Sequence, residues 1–248
     1  MDEALELAEY MPLSFKTQTE QEYVAFLWDA FETNYTHEKY QFAFLAYHML
    51  TMSFVYFIVW QIRHSSPDDF AKGTIGFKND LEKDLISATS PFSFSVVNES
   101  EILRFLKLIQ CDNNKIGSYA NLVKDRNKTA HANGNIFYVD QASVDKKIRE
   151  VLRVVEEIQV HSRNVTLRCY ENFLATSFDQ DVREYFDATD QIREVLIHGH
   201  YFSQKDIELC IAYDPSPLMR QSKFDANDMV AIKKLHDQFL TQYKPEDD

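Results

Sequence analysis

Residues 141–176, QASVDKKIREVLRVVEEIQVHSRNVTLRCYENFLAT, decide the fold class. The stretch contains neither glycine nor proline, and Val144, Ile148, Val151, Leu152, Val155 and Ile158 recur at three- and four-residue intervals. That is the spacing of one face of an α-helix. A single helix of this length must bury its apolar stripe against other long elements. The whole chain of 248 residues has only 5 Gly and 6 Pro, so those other elements are also long and seldom interrupted. The expected fold class is all-α.

Working outward, Ile136–Val139 reads as a short connector, and before it a helix runs from about Ser118 to Ala132, stopped by Asn133-Gly134. Asn98 with Glu101 caps a helix to about Gln110, and Phe92–Val97 alternates weakly and reads as extended. Pro91 ends a helix over Phe77–Ala88. Ser66-Pro67-Asp68-Asp69 opens another that stops at Gly73, with proline and acids in the first turn. A long helix covers His37 to His64, and Thr19 with Glu22 forms a capping box that opens a helix to Tyr35. Beyond 177 the helices are shorter, broken by Asp214-Pro215-Ser216-Pro217, and Pro245–Asp248 is expected to fray. The organisation read from this is a helical domain over 1–176 and a C-terminal helical extension over 177–248.

Phe42–Ile62 carries no formal charge over 21 residues, long enough to cross a bilayer. Yet His48, Thr51, Ser53 and Gln61 interrupt it, and its aromatics are scattered instead of gathered at two ends. It reads as a central helix buried on most sides, with a membrane span as the alternative. Cys111, Cys169 and Cys210 lie far apart, which disfavours a disulfide framework or a zinc site and fits a reducing cytoplasm. The opening MDEALELAEY is acidic and does not read as a secretory signal.

The net charge of −13 argues against general nucleic-acid binding. The charge is uneven, however: residues 101–170 hold 12 Lys and Arg against 8 Asp and Glu. A phosphate-bearing ligand is expected to be directed to this basic island. Within it stands Asp125-Arg126-Asn127-Lys128-Thr129-Ala130-His131. Arginine offers a planar fork of donors to phosphate. Histidine takes and gives protons near neutral pH. Together they are a minimal kit for cutting RNA without a metal. On a helix Asn127 and His131 share a face, and Arg126 lies about 140° round from His131. The same spacing recurs in Arg193…His198, but there Glu194 follows the arginine and Val195-Leu196-Ile197 look like core, so that pair reads as structural.

Arg126-Asn127-Lys128-Thr129-Ala130-His131 resembles the signature of the HEPN superfamily (higher eukaryote and prokaryote nucleotide-binding domains). That signature is an arginine, usually followed by Asn, Asp or His, then three residues and a histidine. The setting is similar too, with long amphipathic helices before the motif, the motif late in a helix and another long helix after it. The resemblance covers residues 18–176 and leaves 177–248 unexplained. It implies an HEPN-like helical bundle that dimerises and brings two motifs into one cleft. It further implies a metal-independent endoribonuclease without cofactor, leaving 2′,3′-cyclic phosphate ends. A toxin or antiviral effector of the cytoplasm is expected, with RNA, a second copy and an antitoxin or defence protein as partners. Arg126, Asn127 and His131 would be catalytic, and Lys124 and Lys128 would meet the substrate. Some members have a tyrosine, modified by a nucleotidyltransferase-like antitoxin, two residues after the histidine. Here Asn133 holds that place and the next tyrosine is Tyr138, a departure from that subtype. The alternative function is a non-catalytic helical module that binds a nucleotide or a protein.

Overall fold

The glycine-free stretch forms one unbroken helix, Gln141–Ser177, in a computed structural model that describes residues 2–132 and 134–244. In chain order the helices are α1 (Asp2–Leu5), α2 (Gln18–Thr36), α3 (Tyr40–Ser65), α4 (Pro67–Gly73), α5 (Asn79–Ile86) and α6 (Glu99–Ile102). They continue with α7 (Asn113–Ala130), α8 (Gln141–Ser177), α9 (Ala188–Gln191), α10 (Gln204–Ile211), α11 (Ser216–Met219) and α12 (Ala226–Tyr243). Among the described residues there is no strand beyond two isolated bridges, so the fold is all-α.

Helix α3 is the centre. α2 packs along one side of it and α8 along another. Every residue from Leu50 to Ile62 is buried, as expected for a helix that is apolar on all sides. The helix is long and apolar enough to cross a membrane, but 83% of its apolar window is buried inside the protein. All six periodic residues of α8, from Val144 to Ile158, are buried against this core. Asp140 and Ser143 close a capping box at its start.

Several boundaries differ from the sequence reading. The capping box of α2 is Thr17 with Glu20, not Thr19 with Glu22. TQTEQE satisfies the pattern in two registers, and the first wins because Glu20 turns inward to accept hydrogen bonds from Tyr201 Oη (2.9 and 3.0 Å) and Ser90 Oγ (2.5 Å). α3 begins at Tyr40, not His37, after a turn in which Glu38 has φ +59°. Helix α5 is shorter at both ends than Phe77–Ala88. Phe92–Val97, expected to be extended, lies mostly in a 3-10 turn over Pro91–Val96, pinned by the buried Phe94 against Trp60 and Phe70.

The helix expected from Asn98 to Gln110 splits into α6 and a 3-10 turn over Leu103–Ile109. The three-residue repeat puts Leu103, Leu106 and Ile109 on one face, and all three are buried. The tail Pro245–Asp248 lies outside the described residues, as does Asn133 of the expected Asn133-Gly134 stop. Gly134 itself has φ +76°.

Two apolar clusters result, and α8 runs through both. The last turns of α8 (Cys169, Tyr170, Phe173, Leu174) leave the first cluster and join α10 and α12 in the second. A buried carboxylate fastens the two together. Asp206, 1% exposed, accepts from Gln61 Nε2 of α3 (3.0 Å) and from Gln159 Nε2 and Thr166 Oγ1 of α8 (2.8 and 2.9 Å). It also accepts from the backbone N–H and the hydroxyl of Ser203, which closes the capping box of α10. Trp60 Nε1 adds a bond to the Gly199 carbonyl at 3.0 Å.

Candidate functional site

Helix α7 starts on Asp112, whose side chain accepts from Lys115 N (2.9 Å), and buries Ile116, Tyr119, Leu122 and Val123. Arg126 is the next residue of that inward stripe, three and four positions beyond Val123 and Leu122. Its guanidinium therefore meets protein before it meets water. Nη2 lies 2.6 Å from Glu99 Oε2 at the start of α6. The same oxygen is 3.0 Å from Nε2 of His48, a residue of α3 that is 1% exposed. A carboxylate only accepts, so His48 donates from Nε2. Its Nδ1 is buried and has no hydrogen-bond partner among the described residues. Burial alone would raise the Glu99 pKa, but hydrogen bonds from His48 and Arg126 outweigh it and hold the carboxyl below its ordinary value.

The other motif residues face elsewhere. Asp125 pairs with Lys147 of α8 at 2.5 Å, and Thr129, buried, donates to the Asp125 carbonyl at 2.8 Å. The Thr129 carbonyl accepts from Gln41 Nε2 (3.1 Å), while Gln41 Oε1 accepts from Phe137 N (3.0 Å). One side chain at the start of α3 thus ties down both the end of α7 and the connector after it. The helix stops at Ala130 instead of Ala132, and His131 is its C-cap in an extended conformation, φ −79° and ψ 142°. Its N–H still bonds the Asn127 carbonyl at 3.1 Å, but the chain has turned before the imidazole can stack over Asn127 on a helix face. His131 is exposed, Asn127 is half-buried, and among the described residues no hydrogen bond or ion pair joins Arg126 to His131.

Lys124 and Lys128 are both exposed. Lys124 Nζ lies 3.2 Å from Asn121 Oδ1 and Lys128 Nζ 3.8 Å from Asp125. The basic island is less basic in space than in sequence, because Arg126, Lys147 and Arg149 each sit against a carboxylate. In the second Arg…His pair, Arg193 contacts Asp190 (2.7 Å) and Glu194 (2.9 Å), and His198 Nδ1 contacts Glu194 (2.9 Å), within a π-helical turn over Ile192–His198. Tyr138 is packed on Phe44 with centroids 4.8 Å apart, and burial pushes its pKa up to about 12.

Two residues absent from the sequence reading of the site, His48 and Glu99, complete the arginine's surroundings. The available signal was His48 itself: a histidine inside an uncharged run that is buried on all sides needs a polar partner. Nothing local points to Glu99 as that partner.

Set against models of protein families, curated proteins and solved structures, the chain matches none of them.

Proposed function

We propose that the chain is a HEPN-type, metal-independent endoribonuclease that acts as a homodimer. The observation that carries the reading is the placing of the motif. Arg126 is held in one orientation by Glu99 with its side chain still 29% exposed, and His131 stands exposed at the end of the same helix. A fixed, permanently charged donor fork and, five residues further along the chain, an accessible imidazole suit phosphodiester chemistry.

In this mechanism one imidazole takes the proton of a ribose 2′-OH. The 2′-oxygen bonds to phosphorus, the bond from phosphorus to the 5′-oxygen breaks, and a second imidazole protonates that leaving oxygen. Products are a 2′,3′-cyclic phosphate and a 5′-hydroxyl. Arg126 neutralises the charge building on the equatorial oxygens. Asn127 orients the phosphate, and Lys124 and Lys128 meet the flanking backbone. One chain supplies one motif histidine, so two chains supply the acid and the base.

Exposed apolar side chains support self-association near the motif. Phe42 (59% exposed) and Met49 (42%) lie seven residues apart on one face of α3, and Ile136 (71%) and Phe137 (40%) belong to the connector tied to Gln41. Exposed apolar area of this kind marks protein contacts. A toxin or antiviral effector of the reducing cytoplasm, held by an antitoxin or defence partner until triggered, fits this activity and the three buried free thiols.

The ion pair also favours a second reading, a non-catalytic module. A guanidinium neutralised by a carboxylate attracts phosphate less than a free one. Incubation of purified protein with RNA in EDTA, beside His131→Ala, separates the two. Cleavage with cyclic phosphate ends in the first sample alone supports the nuclease, and intact RNA in both leaves the binding module.

A further inference from the structure

Between the start of α2, the middle of α3 and the 3-10 turn over 91–96 lies an open cavity of about 660 Å³. That is within the roughly 300–1,000 Å³ of small-molecule sites. Its wall is mostly apolar: Tyr23, Met49, Met52, Tyr56 and Phe92. Tyr23 and Phe92 meet edge to face at 5.2 Å, forming a rigid aromatic corner, while the two methionines opposite are adaptable.

Hydroxyls of Thr and Ser edge the cavity, and its charged groups, Lys16, Glu20 and Glu99, are unevenly committed. Glu20 is buried and satisfied by Tyr201, Ser90 and the Thr17 backbone N–H, so it offers little to a ligand. Glu99, also on the wall, gives Oε2 to Arg126 and His48. Lys16 is different. Its ammonium stands over the rings of Trp60 (5.2 Å) and Tyr201 (5.7 Å) and makes no ion pair with any described residue. Partial burial lowers its pKa, with Glu20 opposing the shift and Arg63 adding to it. An anion beside it would offset that cost of desolvation.

We propose that this cavity binds a small amphipathic anion, its apolar body between Tyr23, Phe92 and Met52 and its carboxylate or phosphate on Lys16. The complement is physical: one unpaired cation at the rim of an apolar hollow selects a ligand with one charged end. The proposal does not rest on the nuclease reading, since neither Arg126 nor His131 lines the cavity, although Glu99 and Met49 of its wall also border the motif arginine and the proposed self-association face.

Two dyes test it. 8-Anilinonaphthalene-1-sulfonate has an anionic head, and N-phenyl-1-naphthylamine has nearly the same apolar body with none. Both should bind the whole chain saturably, one per protomer, with enhanced fluorescence. Lys16→Met, at an exposed position, should weaken the sulfonate by roughly ten- to a hundred-fold, the loss of one charge-assisted contact, and leave the neutral dye nearly unchanged. Met49→Trp, at the rim, should block both dyes. Displacement of the sulfonate dye by decanoate points to an acyl carboxylate, and displacement by 1-naphthyl phosphate to an aromatic phosphate. Equal effects of Lys16→Met on the two dyes, undiminished binding to Met49→Trp, or displacement by neither competitor overturns the proposal.

Discussion

Arg126 Nη2 and Glu99 Oε2 are 2.6 Å apart, and the same carboxylate oxygen receives His48 from the core. One acidic side chain thus both aims the motif arginine and offsets its charge. The effects pull in opposite directions for a phosphate ligand. Fixing the fork lowers the entropy lost on binding. Neutralising it weakens the attraction.

Glu99→Gln separates those effects. The amide still accepts from one donor but no longer balances the guanidinium. RNA affinity should rise several-fold at low salt, read by fluorescence anisotropy, while urea unfolding shows a loss of about 1–3 kcal/mol. Weaker RNA binding by this variant would show that aim outweighs charge.

The same pair predicts a pH dependence. A carboxyl whose folded pKa lies below its unfolded value binds fewer protons when folded, so it adds stability above the unfolded value, about 4.3 for glutamate. That stability is lost as pH falls through the lower folded pKa of Glu99. The stability gap between wild type and Glu99→Gln should therefore be full at pH 6–7 and shrink below about pH 4. A gap that is constant down to pH 3 contradicts the ion pair.

Motif substitutions should separate by burial. His131→Ala removes an exposed ring and should abolish cleavage with a stability change within about 0.5 kcal/mol. Arg126→Ala should also abolish cleavage, but it leaves the Glu99 carboxylate with His48 as its remaining partner and should cost about 1–3 kcal/mol. Arg193→Ala and His198→Ala should cleave as wild type does. Activity retained by His131→Ala in EDTA removes the histidine mechanism.

Phe42→Asp and Ile136→Asp test assembly. Each puts a charge on an exposed apolar position near the motif, so neither should disturb the core. Light scattering should report a dimer for wild type and a monomer for the variants, and the monomers should not cleave RNA. A monomeric, active wild type refutes the shared cleft.

Asp206→Ala probes the seam between the two apolar clusters. It removes the acceptor of Gln61 Nε2 and Gln159 Nε2, one of the two acceptors in reach of the Thr166 hydroxyl, and the carboxylate half of the α10 capping box, leaving Ser203 as the N-cap. We expect a loss of about 3 kcal/mol or more in urea unfolding. A cost under about 1 kcal/mol would mean that the seam rests on apolar contact alone.

Local physics was legible in the sequence wherever one segment decided it. The unbroken periodicity of 141–176, the Ser66-Pro67 start with its Gly73 stop, and the uncharged, mainly apolar run of α3 each express a local rule of spacing, breaking or burial, and each appears in the fold. Arg126 and His131 could be singled out for the same reason: they stand close together in the chain.

What tertiary structure alone decided is where polar groups find partners. Glu20, not Glu22, caps α2 because only Glu20 reaches Tyr201, 181 residues away. Helix α7 ends before His131, where Gln41, 88 residues upstream of Thr129, takes the Thr129 carbonyl and also holds Phe137. His48 and Glu99 are 51 residues apart, yet they set the surroundings of Arg126. Periodicity states which side of a helix is buried, but not which donor will face which acceptor once several helices meet. That choice follows from the requirement that nearly every buried polar group be paired, a condition on the whole packed bundle and not on any one of its segments.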